Sequence, residues 1–415
     1  MSSRDASRFP TTSFSHTITT TPVNDTIQYD LDCAKVKQIS PTLDKMSAQA
    51  ELDSPPSEPI SSLTFSPNGT KLLVGSWDRT LSVYQRTEEG TAPYTLEKRI
   101  QCRAPVLDVC WGEDETIAYF VGLDHDVRRV NLATEDNEQN VLSTHEKPSN
   151  KIAYNKERSL LLSTGWDGIL HAHNTQAAKG RSYVRVRLAA KPFALSLTEN
   201  RAIIAMAERK MSIYDLMALK MITEQTSDIH TGGDSELGEV EVHQMSPWQT
   251  RESNLKFMTR AVAAMPDGTG FASSSIEGRV AVEWFDAEKA GSTYAFKCHR
   301  QTATETGEDG AAQEVDIVYP VNALAFNKEH GTFATGGGDG VIALWDAQTK
   351  RRIRQYPKQV ASVAALDFSP DSRFVAIGVS PGFEDGAEER ETDQSLVQVV
   401  IRELAENEAK GRAAK

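Results

Sequence analysis

Cysteine is scarce in this chain, and the little there is carries no pattern. Cys33, Cys102, Cys110 and Cys298 form no CxxC pair and no zinc-ligand spacing, so a reducing compartment is the expected setting. No apolar run approaches ~18 residues, and no membrane-spanning helix is expected. The opening stretch, "MSSRDASRFPTTSFSHTITTT", lacks the apolar core of a secretory signal. Positive charge is in deficit: 58 acidic side chains against 45 basic ones leave a net charge of −13. Broad non-specific binding to nucleic acid requires neutralising several phosphates at once, and this balance argues against it, although a small basic patch remains compatible. Signatures of catalysis are missing too. "GGGDG" (336–340) has neither the lysine nor the following helix of a phosphate loop, and no Gly-x-Ser-x-Gly elbow occurs. "HAH" sets His171 and His173 on one face of a strand without a third ligand. No enzymatic activity, cofactor or metal is expected.

What the chain does have is a repeat. "ISSLTFSPNGTKLLVGSWDRTLSVYQ" begins at Ile60: an alternating strand, a turn, a strand ending in small residues, a tight turn, and a third alternating strand. Related segments begin at Pro105, Asn150, Pro192, Thr259, Pro320 and Ala361, the last completed by "SLVQVVIREL" from Ser395. The tight turns fall at Asp78, Asp124, Asp167, Glu208, Glu277 and Asp339. Most of these are about 41–46 residues apart and two intervals stretch to roughly 60–70, the period of four-stranded propeller blades with insertions. Trp345-Asp346 closes a third strand where WD-type blades carry that dipeptide. The expected fold is all-β, a single seven-bladed WD-repeat propeller.

Ring closure requires the last blade to borrow a strand, because an open edge invites aggregation. "SAQAELDSP" (Ser47–Pro55) is expected to supply it, with the propeller spanning 47–404. Residues 1–46 read as a disordered extension, Met46 as the true start, and 405–415 as a flexible tail. Thr223–Asn254 is expected to be a loop linking the fourth and fifth blades, Gln301–Asp316 a loop before the sixth, and Pro381–Gln394 a loop within the seventh.

Propeller geometry puts the turns between second and third strands on the same face as the connections into each next blade. Arg279 sits at such a turn of the fifth blade, Lys297 at the top of that blade's fourth strand, and Lys256 and Arg260 at the start of its first. Four cations thereby share one rim of an acidic protein, held by strands, so little ordering entropy opposes an incoming anion. Arginine offers a fork matched to carboxylate or phosphate, lysine a point charge. The plainer reading is that each cation only neutralises a carboxylate of a neighbouring blade. Trp77 and Trp166 occupy the corresponding turns of the first and third blades. They suggest an aromatic contact surface, or else indoles packed on the next blade.

"SSIEGRVAVEWF", "YAFKCHR", "YPVNALAF" and "TFATGGGDGVIALWD", with "SWD" in the first blade and "GWDG" in the third, resemble the spindle-assembly-checkpoint propellers, the family of the third "budding uninhibited by benzimidazole" protein. The likeness runs from about Pro55 to Ile401. The messenger-RNA export propellers, which bind a nucleoporin and RNA, are a sister family and the alternative reading. The resemblance implies a monomeric, non-enzymatic scaffold of the nucleus and the mitotic kinetochore. Such a scaffold binds an acidic segment of the checkpoint kinase and of its related partner, and phosphorylated Met-Glu-Leu-Thr repeats of the outer-kinetochore scaffold. It touches neither membrane nor nucleic acid directly. By motif, Arg279 and Lys297 would hold the phosphothreonine with Trp77 beside the peptide. Lys256 and Arg260, in a looser match, would pair with glutamates of the acidic segment, with Trp166 nearby.

Overall fold

The second strands of the repeats are apolar runs that end in small residues, and the reason lies in how blades stack. A Cβ on Gly336 would stand 2.4 Å from Val363 Cγ1 of the following blade, so only glycine lets that first strand approach. The innermost strands alternate buried and half-buried positions, as in Ile60–Phe65 and Val106–Trp111; second strands such as Leu160–Gly165 and Phe374–Val379 are buried throughout. Strands buried on both faces read as near-continuous apolar runs.

A computed structural model describes residues 49–88, 92–176, 183–229, 241–306, 312–382 and 392–411. The strands assemble into a seven-bladed β-propeller of four-stranded antiparallel sheets, the third blade carrying a short fifth strand, Val242–His243, in parallel. The innermost strands are Ile60–Phe65, Val106–Trp111, Ser149–Asn155, Pro192–Leu197, Thr259–Ala264, Val321–Phe326 and Val363–Phe368. Each touches its neighbour and the seventh touches the first, so the ring is closed. Core clusters lie between blades: Leu73, Val83, Val106 and Phe120 join the first to the second, and Phe65, Tyr94, Phe374 and Ile401 join the seventh to the first. Each fully buried side chain of this kind contributes about 1.5–3 kcal/mol.

Closure follows the expected route. Gln49–Glu51 pairs antiparallel with Val400–Arg402 as the outer strand of the seventh blade. Leu52, 1% exposed, buries its side chain between that blade and the first. The disordered extension expected over 1–46 lies outside the described residues.

Between the fifth and sixth blades, Asp339 of a tight turn accepts from His299 Nδ1 at 2.8 Å. His299 Nε2 meets Thr335 Oγ1 at 2.8 Å, and Trp345 Nε1 donates to that oxygen at 3.0 Å. His145, Asp167 and Ser163 repeat the arrangement at the third blade. The turn aspartates are structural fasteners here: the carboxylate also accepts the N–H two residues on, at Val341 and Ile169.

Three expectations need correction. The span Thr223–Asn254 is not a plain loop between blades: its Gln249–Glu252 is the outer strand of the fourth blade, and its Val242–His243 adds a strand to the third. The span also begins within a helix, Leu216–Ile229, which places Leu216, Leu219 and Thr223 on one buried stripe. Gln301–Asp316 is not a plain loop, since Arg300–Thr306 and Ala312–Val318 pair as a two-stranded ribbon. The tail packs at least as far as Ala409. Thr332 Oγ1 donates to Ala409 O at 2.7 Å, and Arg402 meets the buried Glu408 carboxylate at 3.2 Å.

Candidate functional site

One hydrogen bond recurs in all seven blades and defines a face. The first residue after the second strand donates its N–H to the carbonyl just before the first strand. The pairs are Trp77 to Pro59, Leu123 to Pro105, Trp166 to Pro148, Ala207 to Lys191, Ile276 to Met258, Gly338 to Pro320 and Ser380 to Ser362. Tight turns and inter-blade connections are thus tied to one rim. A β-bulge follows at the second residue of every innermost strand, at Ser61, Leu107, Asn150, Phe193, Arg260, Asn322 and Ala364. An extra residue of this kind re-aims its side chain. The seven bulges ring the axial mouth.

The fifth blade carries the cations. Arg279 opens its third strand (Arg279–Trp284), Lys297 closes its fourth (Tyr294–Lys297), and the two face each other across the ladder. Like charges directly opposite oppose strand pairing by about 0.2–1 kcal/mol, a cost that an anion between them would reverse. Arg279, its side chain 35% exposed, has Nε 3.4 Å from Glu277 Oε2. That Nε makes no hydrogen bond, so the contact is electrostatic only. Lys297 is exposed. Glu277 Oε1 accepts the Lys256 N–H at 3.3 Å, and the Glu277 carbonyl accepts from Arg300 Nη2 at 2.9 Å. One turn therefore gathers Lys256, Arg279 and Arg300. Between Glu277 and Arg279 stands Gly278 at φ +62°, where a Cβ would lie 2.7 Å from the Cys298 carbonyl.

Arg260 is on the same rim but nearer the axis. Its Nε donates to Asn322 Oδ1 at 3.1 Å, and Asn322 Nδ2 donates to Ser362 Oγ at 3.0 Å, a chain from the fifth blade through the sixth to the seventh. The plainer reading thus holds in part: Glu277 faces Arg279 and Asn322 engages Arg260.

The aromatic positions divide. Trp77 is 39% exposed. Trp166 is half-buried beneath Lys191, whose Nζ sits 4.5 Å over the indole, so this tryptophan packs on the next blade's lead-in as a cation–π pair. Sequence reasoning missed Phe257, Met258 and Ile276, all exposed beside the cations. Their signal was available: large apolar residues at turn and lead-in positions that need no core contact. At the equivalent turns of the sixth and seventh blades stand the small residues Gly338 and Ser380.

Among the described residues no group of three or more His, Cys, Asp or Glu side chains is arranged to hold a metal. His171 Nδ1 and His173 Nε2 meet instead on Ser143 Oγ, at 2.9 and 2.8 Å. His171 stacks on His145 at 3.7 Å between ring centroids. A cavity of about 350 Å³ lined by Gln249, Arg251, Trp284 and Phe285 opens on the opposite rim, away from the cations.

Comparison with known proteins adds a second kind of observation. Residues 48–85 and 318–346 match the model of the WD domain, G-beta repeat. The chain is 36% identical to mitotic checkpoint protein BUB3.1 of Arabidopsis thaliana over 361 residues, covering 85% of this chain and 93% of that protein. It is 31% identical to mitotic checkpoint protein bub3 of Dictyostelium discoideum, covering 85% and 95%. It is also similar to mRNA export factor GLE2 of Chaetomium thermophilum, 26% identical over 83% of this chain and 87% of that protein.

Proposed function

The chain belongs to the BUB3 family of mitotic checkpoint propellers, and from that premise we propose that its basic rim captures phosphorylated, acidic peptide segments of other checkpoint and kinetochore proteins. In this reading the protein is a non-catalytic scaffold that recruits checkpoint proteins to unattached kinetochores in the nucleus. The observation that carries it is the facing pair Arg279 and Lys297 on adjacent strands. A phosphothreonine brings about −1.5 to −2 charge and three acceptor oxygens. The Arg279 fork and the Lys297 ammonium hold that phosphate, as of a Met-Glu-Leu-Thr repeat.

Arg279 and Trp77 belong to blades one to either side of the sixth and seventh, so no single side chain touches both. An extended peptide advances about 3.3–3.6 Å per residue, and a segment of several residues crosses the face over Gly338 and Ser380. It then reaches Trp77 with an apolar side chain while its phosphate stays on the fifth blade. Exposed Ile276, Phe257 and Met258 give the phosphate's neighbours an apolar seat. Lys256 and Arg260 accept glutamates of an acidic segment from the checkpoint kinase and its related partner. Trp166, already under Lys191, borders that segment.

Two or three charge-assisted hydrogen bonds at about 1.5–3 kcal/mol each, less the ordering of a flexible peptide, give micromolar rather than nanomolar binding. Weak units suit a partner with many repeats, where avidity sets occupancy and loss of one phosphate tips the balance.

Titration calorimetry with a singly phosphorylated Met-Glu-Leu-Thr peptide, its unphosphorylated twin, and a short RNA at physiological salt tests this reading. Phosphate-dependent binding that falls at least tenfold in Arg279→Ala and in Lys297→Ala is the expected result. Phosphate-independent binding to RNA would favour the export-type reading and reverse the assignment.

A further inference from the structure

We propose that Ser246 is an acceptor site for a proline-directed protein kinase, on the rim opposite the basic patch. Five Ser-Pro dipeptides occur among the described residues, at Ser54, Ser66, Ser246, Ser369 and Ser380. Ser66, Ser369 and Ser380 are buried, at 0%, 1% and 2% exposure, so no kinase reaches their hydroxyls without unfolding a blade. Ser54 is exposed but pinned: it sits at φ +55°, and its carbonyl is held by Tyr84 Oη and Arg99. Ser246 differs on each count. It is exposed and lies in the non-helical, non-strand stretch 244–248. That stretch bridges Val242–His243, an added fifth strand on the third blade, to Gln249–Glu252 of the fourth.

A kinase reads its substrate as an extended strand around the acceptor, and residues 244–247 are held in neither helix nor sheet, so they need not leave a ladder to take that form. Pro247 offers no N–H, which kinases that need a hydrogen bond at that position reject and proline-directed ones tolerate. In the reaction, Ser246 Oγ attacks the γ-phosphorus of ATP. The new O–P bond forms as the bond to the β,γ-bridging oxygen breaks, the hydroxyl proton passes to the kinase's base, and ADP leaves. Trp248, two residues after Ser246, is 46% exposed and carries the Arg201 guanidinium 4.2 Å above its ring, and that arginine is already paired with Asp215.

The test is phosphorylation of the folded full chain by a purified proline-directed kinase with ATP, sites being assigned by mass spectrometry after short exposure. A peptide spanning 241–252 serves as reference substrate. Ser246 should be modified in the folded chain at a rate within about tenfold of the peptide. Ser66, Ser369 and Ser380 should stay unmodified, and Ser246→Ala should remove the signal from that peptide. Modification of the isolated peptide but not of the folded chain would overturn the proposal, as would preferential modification of Ser54.

Discussion

Arg260 and Lys297 are both exposed cations of one blade, yet their surroundings give them different tasks. Lys297 faces only another cation across the ladder, whereas Arg260 is already oriented by Asn322. Arg260→Glu replaces attraction by repulsion towards an acidic segment; capture of a glutamate-rich checkpoint-kinase peptide should drop at least tenfold in a pull-down. Undiminished capture would remove Arg260 from the site. A second residue-scale effect lies in the core. Burial first, and the neighbouring His145 second, hold His171 well below the ordinary imidazole range and His173 at about 3. In the unfolded chain both protonate near ~6.5, so below that pH the unfolded state binds more protons and stability falls as pH drops. The slope approaches about 1.4 kcal/mol per pH unit for each histidine. Urea unfolding at pH 7.5 and 5.5 should show the wild type losing about 1 kcal/mol more than His173→Asn. Equal losses would mean that His173 titrates normally in the fold.

At the scale of elements, the turn 276–279 decides whether the cations are presented at all. Gly278 combines φ +62° with backbone carbonyls at 2.7 and 3.0 Å from any added Cβ, whereas Gly168, at φ +77° in the matching turn of the third blade, has nothing within 4 Å. Gly168→Ala should cost about 1 kcal/mol for the left-handed backbone alone. Gly278→Ala adds the collision, costing about 1–3 kcal/mol, and weakens phosphopeptide binding by displacing Arg279. Melting curves together with peptide affinity separate the two, and identical behaviour would show that the carbonyl contacts yield freely. Glycine, turn and flanking strands were all readable from the repeat. The ribbon Arg300–Thr306/Ala312–Val318 was not, because "QTATET" has no apolar alternation. Nothing in it is destined for a core, and a two-stranded ribbon is only marginally stable by itself. The helix Leu216–Ile229 escaped notice because its inward stripe ends on a threonine, Thr223, rather than an apolar residue.

At the scale of the whole molecule, the ring stands on its clasp. Gln49–Glu51 covers the edge of Gln398–Glu403, Leu52 N donates to Val399 O at 2.8 Å, and Leu52 fills the seam with the first blade. Losing a buried leucine alone costs about 2–5 kcal/mol, before any ladder bond. A chain beginning at Met46 should melt like the full chain, while one beginning at Pro56 should melt several degrees lower and aggregate through the bared strand. Coincident melting of all three chains would show that the clasp is dispensable.

The sequence by itself determined the blade count, the closing segment and the rim to which Arg279, Lys297, Lys256, Arg260, Trp77 and Trp166 belong. Those follow from a repeat period and from strand alternation, which are local properties of the chain. Only the tertiary structure decided what each side chain meets there: Glu277 beside Arg279, Asn322 beneath Arg260, Lys191 over Trp166, and open rim around Lys297 and Trp77. Such contacts join residues brought together by ring closure across blades or across a turn, and no spacing along one chain encodes the distance between them.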